Sequence, residues 1–96
     1  MNRYILSQKA DADVQQIAAV SLQRWGFARA EKYILSLHDA FNRLTDFPEL
    51  GRDASHIRHG YRATEITSHI AFYRTTEAGV LIIRVLHARM DPRRHL

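Results

Sequence analysis

The spacing of apolar residues changes from helical to strand-like near Pro48, and this change constrains the fold more than any other feature of the sequence. Before Pro48, small and apolar residues recur three and four positions apart in two runs, which predicts two amphipathic helices. The runs are Ala10, Val14, Ile17, Ala18, Ser21 and Trp25, and then Ala30, Ile34, Leu37, Phe41 and Leu44. Ser7 suits the N-cap of the first helix and Gly26 suits its end, so we expect a helical hairpin over about residues 8–47.

Strand-like segments lie on both sides of the predicted hairpin. One precedes it at about residues 3–7, and three follow it at about residues 61–67, 69–75 and 80–87. The turns between the last three are too short for parallel crossovers, so these strands should form an antiparallel meander. We therefore predict an α+β fold, in which the N-terminal strand and the meander form one small sheet against the helical hairpin.

Composition limits the chain to one small domain. At 96 residues, with 46% hydrophobic and 25% charged residues, we expect a single domain over residues 1–96. The absence of cysteine excludes disulfides, thiolate metal sites and cysteine nucleophiles. The apolar run at residues 80–83 is far shorter than the roughly 20 residues of a membrane span, and the first residues do not resemble a signal peptide. We predict a cytoplasmic protein.

Positive charge is concentrated near the end of the sequence. The formal net charge is +4, and residues 84–96 contribute +3 of it, because they carry four arginines against Asp91 alone. Such a segment favours an anionic partner, either a nucleic acid or an acidic protein surface. The alternative is that arginine only serves solubility. We call residues 88–96 the basic tail.

Apolar residues lie on both faces of the predicted last strands. Regular alternation places Ile83 and Val85 on one face and Ile82 and Leu86 on the other. A helical hairpin covers only one face, so the other should expose apolar surface, which usually marks a protein-binding site. The alternative is that the irregular segment 48–60 or the basic tail folds over that face.

Sequence patterns for metal, nucleotide or acyl-transfer chemistry are missing. None of the six histidines forms a helical i, i+4 pair with a glutamate between, and His56 and His59 have no third ligand nearby in sequence. The sequence contains no Walker-type loop, no GxGxxG run and no GxSxG elbow. We predict no metal site and no cofactor.

The remaining chemical candidates are Tyr73, Arg84 and His87, followed by Arg89, on or just after the last two strands. In RNA cleavage, an arginine could stabilise charge on the phosphate, and His87 could act as a general acid or base. Tyr73 and Arg84 would then have to project from the same face of the sheet. The alternative is structural: Tyr73 packs as a strand aromatic, Arg84 pairs with a partner's carboxylate, and His87 ends the strand.

Several short segments, in order along essentially the whole chain, form a recognisable set. They are Tyr4-Ile5-Leu6-Ser7, Ala10-Asp11-Ala12-Asp13, Arg24-Trp25-Gly26, Phe47-Pro48-Glu49-Leu50-Gly51-Arg52, Ile57-Arg58-His59-Gly60-Tyr61-Arg62, Ser68-His69-Ile70-Ala71-Phe72-Tyr73-Arg74, Arg84-Val85-Leu86-His87-Ala88-Arg89-Met90-Asp91 and Arg93-Arg94-His95-Leu96. Together they resemble ParE-type toxins of the RelE/ParE toxin-antitoxin superfamily.

This resemblance implies a helical hairpin against a small antiparallel sheet, and the activity of a toxin. ParE-type toxins trap DNA gyrase on broken DNA and are neutralised by a small antitoxin, whereas RelE-type relatives cut mRNA on the ribosome with a denser set of basic residues. Here Lys9 and Lys32 both fall in the helical half. We therefore expect a gyrase inhibitor without a catalytic site, and the alternative is a ribosome-dependent mRNA endoribonuclease that uses Tyr73, Arg84 and His87.

Two binding surfaces are expected from the resemblance and the charge pattern. DNA gyrase would contact Arg84, Arg89, Met90, Asp91, Arg93 and Arg94. A ParD-like antitoxin would lay an acidic amphipathic segment in a groove between the hairpin and the last strand, with some strand addition. Its expected contacts are Val14, Ile17, Trp25, Tyr33, Leu37, Tyr73, Ile82, Arg84 and Leu86. We expect no membrane partner and no sequence-specific DNA binding by the toxin alone.

Overall fold

The computed structural model describes residues 3–96, in which two helices pack on one face of a five-stranded sheet. The helices are α1 (Gln8–Trp25) and α2 (Phe27–Asp46). The strands are β1 (Arg3–Leu6), β2 (Arg52–Asp53), β3 (Arg62–Ile66), β4 (His69–Thr76) and β5 (Gly79–His87), and a 3₁₀ turn follows at Pro92–Arg94. The α+β class is confirmed. Residues 1 and 2 of the expected domain lie outside the described residues.

Local chemistry sets the ends of the helices. The hydroxyl oxygen of Ser7 accepts the N–H of Ala10 at 3.0 Å and so caps the first turn of α1. Gly26 separates the helices with a φ of 82°, a left-handed value that glycine adopts without steric cost. Within residues 3–96, neither helix is long and apolar enough to span a bilayer.

The sheet is mixed, which corrects the expected antiparallel sheet. Its strand order is β1-β5-β4-β3-β2, with β1 parallel to β5 and the other neighbours antiparallel. Parallel pairing is available to β1 because the whole helical hairpin and three strands separate it from β5 in sequence. The two-residue β2 lies in the segment predicted to be irregular, since so short a strand leaves no periodic signal.

A β-bulge in β5 changes which residues face the helices. Phe72 pairs with Arg84 and Tyr73 pairs with Ile82, so Ile83 has no partner in β4. After this extra residue the alternation is displaced, and Val85 joins Ile82 in the core under the helices. The expectation that Ile82 and Val85 lie on opposite faces is therefore wrong.

Two hydrophobic clusters fill the two faces of the sheet. The cluster under the hairpin includes Val14, Ile17, Leu37, Phe41, Leu44, Tyr73, Ile82 and Val85. The opposite face carries Phe72 and Leu86, against which Ala54, Ile57, Tyr61 and Leu96 pack. The expected uncovered face is thus closed by the segment after α2 and by the end of the basic tail, which was the alternative.

Candidate functional site

An open groove lies between α1 and the last residues of β5. β1 pairs with β5 only from Arg3 opposite Gly79 to Leu6 opposite Ile82, after which the chain turns into α1. Within residues 3–96, positions 83–87 of β5 therefore have no strand neighbour on that side. The cavity left there measures about 340 Å³, and we call it the edge groove. Its apolar lining comes from Ile17, Val20, Trp25, Val85, Leu86 and Met90.

Three large apolar side chains stand exposed around this groove. Val20 and Trp25 are each 40% exposed, and Met90 is 39% exposed. They come from α1 and from the start of the basic tail, so they surround one opening. Clustered exposed apolar groups of this kind make the groove a candidate binding surface.

Asp13 closes the free edge of β5 at the end of the groove. Its Oδ2 accepts the backbone N–H of Val85 at 2.9 Å and the Nε–H of Arg84 at 2.8 Å, and its Oδ1 accepts Nη2–H of Arg84 at 2.9 Å. Both side chains of the ion pair are only 15% exposed. The hydrogen bonds that Arg84 donates to Asp13 raise the pKa of Arg84, so its guanidinium stays charged.

Arg84 also holds the basic tail in place. Its Nη1–H donates to the backbone oxygen of His95 at 2.9 Å, while Leu96 packs in the cluster on the far side of the sheet. The side chain of Asp91 accepts the N–H of Arg93 at 3.0 Å and starts the 3₁₀ turn. The tail is therefore docked on the sheet.

Two histidines lie side by side in the edge groove. His69 of β4 and His87 of β5 are register partners, with ring centroids 5.4 Å apart. The hydroxyl of Tyr33 lies 2.6 Å from Nδ1 of His69, and Nδ1 of His87 accepts the N–H of Arg89 at 3.1 Å. Burial lowers the pKa of His69, the neighbouring His87 lowers it further, and Asp13 acts in the opposite direction. The groove thus favours the neutral form of His69.

The expected antitoxin contacts divide between the groove and the interior. Three of them, Ile17, Trp25 and Leu86, line the edge groove, but only Trp25 is exposed there, because Ile17 and Leu86 are also buried in the two hydrophobic clusters. Four others are buried in the core under the hairpin: Val14, Leu37, Tyr73 and Ile82. These four are corrected, because the helices and the sheet already cover them. Tyr33 lines an adjoining cavity, and Arg84 is engaged by Asp13 and His95.

Sequence reasoning did not assign Val20, Asp13 or His69 to this groove. Val20 lies outside the apolar stripe that packs on the sheet, but the spacing of Asp13, Gln16, Val20 and Arg24 places them on one side of α1. This second stripe was the available signal for a groove-facing side. No sequence signal marked His69, because its position depends on the register of β4 and β5.

The structure does not assemble the alternative catalytic set. Tyr73 is completely buried, and its hydroxyl donates to the oxygen of Pro48 at 2.7 Å and accepts the N–H of Gly51 at 2.9 Å. Tyr73 faces the helices, whereas Phe72, the register partner of Arg84, faces the opposite side. Of the three candidate catalytic residues, only His87 is exposed, and it lies in the edge groove. The RNA-cleavage alternative requires Tyr73 and Arg84 to share a face, and they do not, because the bulge displaces the alternation.

The expected gyrase contacts are mostly on the surface. Arg89, Met90, Asp91, Arg93 and Arg94 are exposed, all within the basic tail. Arg84, by contrast, already forms hydrogen bonds with Asp13 and His95.

Within residues 3–96, no three histidine, aspartate or glutamate side chains come together in a way that could hold a metal ion.

Comparisons with known proteins identify relatives over nearly the full chain. Residues 4–92 match the family described as "ParE toxin of type II toxin-antitoxin system, parDE". The chain is 42% identical to Toxin ParE1 of Mycobacterium tuberculosis, with 99% of this chain and 98% of that protein covered. It is 40% identical to Toxin ParE1 of Caulobacter vibrioides, with 100% and 99% covered.

A solved structure shares the fold. A chain from the structure titled "Chromosomal ParDE TA system from P. aeruginosa" superposes with a TM-score of 0.77 and 19% sequence identity. The superposition covers 91% of this chain and 96% of that one. The arrangement of two helices on a small mixed sheet is therefore common to both.

Proposed function

The chain belongs to the ParE family of toxins of type II toxin-antitoxin systems, and on this basis we propose that it traps DNA gyrase on cleaved DNA in the cytoplasm. We further propose that a ParD-like antitoxin neutralises it by occupying the edge groove. The gyrase target is supported by the resemblance to ParE-type toxins, and the toxin has no bond-making chemistry of its own in this account. The edge groove as the antitoxin site is supported by its exposed apolar side chains.

The basic tail is the part of the toxin that we assign to gyrase. Arg89, Arg93 and Arg94 are exposed there, and none of them forms an ion pair within residues 3–96. Exposed arginines can pair with carboxylates of a protein or with phosphates of bound DNA. Arg84 has a different role in this account, because it fixes the tail by its hydrogen bond to His95.

The antitoxin segment is expected to bind as a helix in the edge groove. Strand addition would require free backbone groups on β5, but Asp13 already occupies the N–H of Val85. The oxygen of His87 likewise accepts the N–H of Met90. An amphipathic helix needs no such backbone groups, and its apolar face would cover Val20, Trp25 and Met90.

Val20→Asp tests the groove. The substitution places a carboxylate where the antitoxin should bury apolar side chains, which costs ~2 kcal/mol or more and weakens binding about 30-fold. Leu22→Asp is the matched control, because Leu22 is on the same helix, is 51% exposed and lies outside the groove. Calorimetry should show the loss for Val20→Asp alone. Equal affinities of the two variants would exclude the edge groove as the antitoxin site.

Expression of the toxin without its antitoxin tests the activity in cells. We expect growth arrest accompanied by double-strand breaks in the chromosome, while primer extension on translated messages shows no new discrete ends. Discrete cuts at ribosomal A-site codons that vanish in His87→Ala would contradict the gyrase account and support the ribonuclease instead.

A further inference from the structure

A second cavity adjoins the edge groove on the other side of Trp25. It measures about 570 Å³ and lies between the first half of α2 and the turn that joins β3 to β4. Its lining includes Arg29, Lys32, Thr67 and Ser68. Trp25 and Ser68 line both cavities, so the two cavities are adjacent. We call the second one the cationic cavity.

The charges of the cationic cavity favour an anionic ligand. Arg29 and Lys32 are its charged lining residues, and no aspartate or glutamate lines it. Neither cation forms an ion pair within residues 3–96. The hydroxyl of Thr67 also lines it and can donate a hydrogen bond to an acceptor oxygen, whereas the hydroxyl of Ser36 already donates to the backbone oxygen of Tyr33 at 2.6 Å. The cavity therefore complements carboxylates, phosphates or similar groups.

Arg29 packs on the indole ring of Trp25 in this cavity. Its guanidinium carbon lies 4.8 Å from the centre of the Trp25 ring, a cation–π contact that restrains the side chain. Tyr33 meets the same indole edge-on, with ring centroids 6.1 Å apart. Because Arg29 lines this cavity and not the edge groove, it covers the ring face on which a nucleobase would stack. The guanidinium edge remains available and can pair with a carboxylate or a phosphate. A carboxylate is the anion that a peptide in the adjoining edge groove would supply.

We infer that the antitoxin segment continues past Trp25 and pairs its carboxylates with Arg29 and Lys32 in the cationic cavity, while its apolar side chains fill the edge groove. This inference rests on the proposed function of the edge groove. Trp25 then separates an apolar half from an acidic half of one binding surface. An antitoxin without carboxylates at the matching positions leaves both cations unpaired, so these two residues discriminate between antitoxins.

The double variant Arg29→Gln/Lys32→Gln tests this inference. Its affinity for the antitoxin encoded with the toxin is measured by calorimetry at low and at high salt. We expect about 10-fold weaker binding at low salt and little difference at high salt, because exposed ion pairs are screened. The control Lys9→Gln/Arg74→Gln removes the same charge from exposed positions outside both cavities and should bind within about 2-fold of the wild type.

A change of the antitoxin's acidic side chains to amides completes the test. If they pair with Arg29 and Lys32, their loss should cost about 10-fold with the wild-type toxin and almost nothing with the double variant. Equal losses with both toxins would overturn the inference. If Val20→Asp weakens binding while Arg29→Gln/Lys32→Gln matches its control, the inference fails and the proposed function stands.

Single-stranded DNA provides a competing occupant. The sequence has one tryptophan, so quenching of its fluorescence by an oligothymidylate reports binding at Trp25. We expect no saturable quenching at moderate salt. Saturable quenching that disappears in Arg29→Gln/Lys32→Gln, with antitoxin affinity unchanged, would identify a nucleic-acid site and contradict the inference.

Discussion

Asp13 connects three parts of the toxin at the scale of single atoms. Its carboxylate accepts the backbone N–H of Val85 at the free edge of β5 and the guanidinium N–H of Arg84. Arg84 in turn donates to the backbone oxygen of His95 in the tail. A charged pair that is only 15% exposed gains little over an apolar pair, but the loss of one partner leaves a charge without compensation. Asp13 is therefore more important for the position of the tail than its place on a helix surface suggests.

Asp13→Ala should lower the free energy of unfolding by about 2–4 kcal/mol, because Arg84 and the N–H of Val85 both lose their acceptor. Urea denaturation measures the change. Glu65→Ala is the control: its ion pair with Arg52 spans 3.6 Å, with side chains 71% and 55% exposed, and should contribute less than about 0.5 kcal/mol. Similar values for the two variants would mean that the Asp13–Arg84 pair does not stabilise the fold.

His69 should make stability depend on pH. Burial and the neighbouring His87 lower its pKa below the ordinary value, so the unfolded chain binds a proton more readily than the folded one. The free energy of unfolding therefore keeps its full value above pH 6.5, the ordinary histidine pKa. It decreases as pH falls through the lowered pKa of His69 in the folded chain.

The difference between wild type and His69→Gln isolates this effect. Between pH 7.5 and about 5, the free energy of unfolding of the wild type should decrease more than that of His69→Gln. His56→Gln, which removes an exposed histidine of the segment between β2 and β3, should follow the wild type. Parallel curves for all three proteins would show that His69 titrates alike in the folded and unfolded chains.

Among the elements, the end of β5 shapes the edge groove, which we propose as the antitoxin site. β1 stops at Leu6, so the final residues of β5 border a cavity instead of a strand. The bulge at Ile83 then directs Val85 toward the helices and leaves Arg84 beside Asp13. Period-two alternation predicts a regular strand, and it cannot locate an extra residue whose cause is the pairing with β4.

The basic tail combines a structural role with the proposed role in gyrase binding. Leu96 packs on the sheet and His95 binds Arg84, so removal of residues 91–96 would destabilise the fold as well as remove the arginines. Substitution of the exposed arginines separates the two roles. A truncation alone therefore cannot test the mechanism.

The triple variant Arg89→Gln/Arg93→Gln/Arg94→Gln should abolish toxicity while the free energy of unfolding stays within about 0.5 kcal/mol of the wild type, as is usual for surface substitutions. Plating after induction measures toxicity, and urea denaturation measures stability. A control with Arg43, Arg52 and Arg74 changed to glutamine removes the same charge from other exposed positions and should stay toxic. A fully toxic tail variant would remove these arginines from the mechanism.

At the scale of the whole molecule, the fold class and the family could be predicted from the sequence because both are recorded in local patterns. Helical spacing before Pro48, turn residues after it, and short motifs in order led to the confirmed α+β class and the confirmed resemblance to ParE toxins. Coverage of the second sheet face remained only an alternative at the level of sequence, since it depends on Leu96 packing on the same cluster as Ile57 and Tyr61, more than 30 positions away. The edge groove likewise depends on where β1 ends.

An assay with purified gyrase is the most direct test of whether the toxin traps gyrase on cleaved DNA. The toxin is incubated with gyrase, supercoiled plasmid and ATP, and linear DNA is measured after protein denaturation. We expect linear DNA to accumulate with toxin concentration, an equimolar amount of antitoxin to prevent it, and the triple tail variant to produce none. Unchanged supercoiling activity at a large excess of wild-type toxin would contradict gyrase as the target.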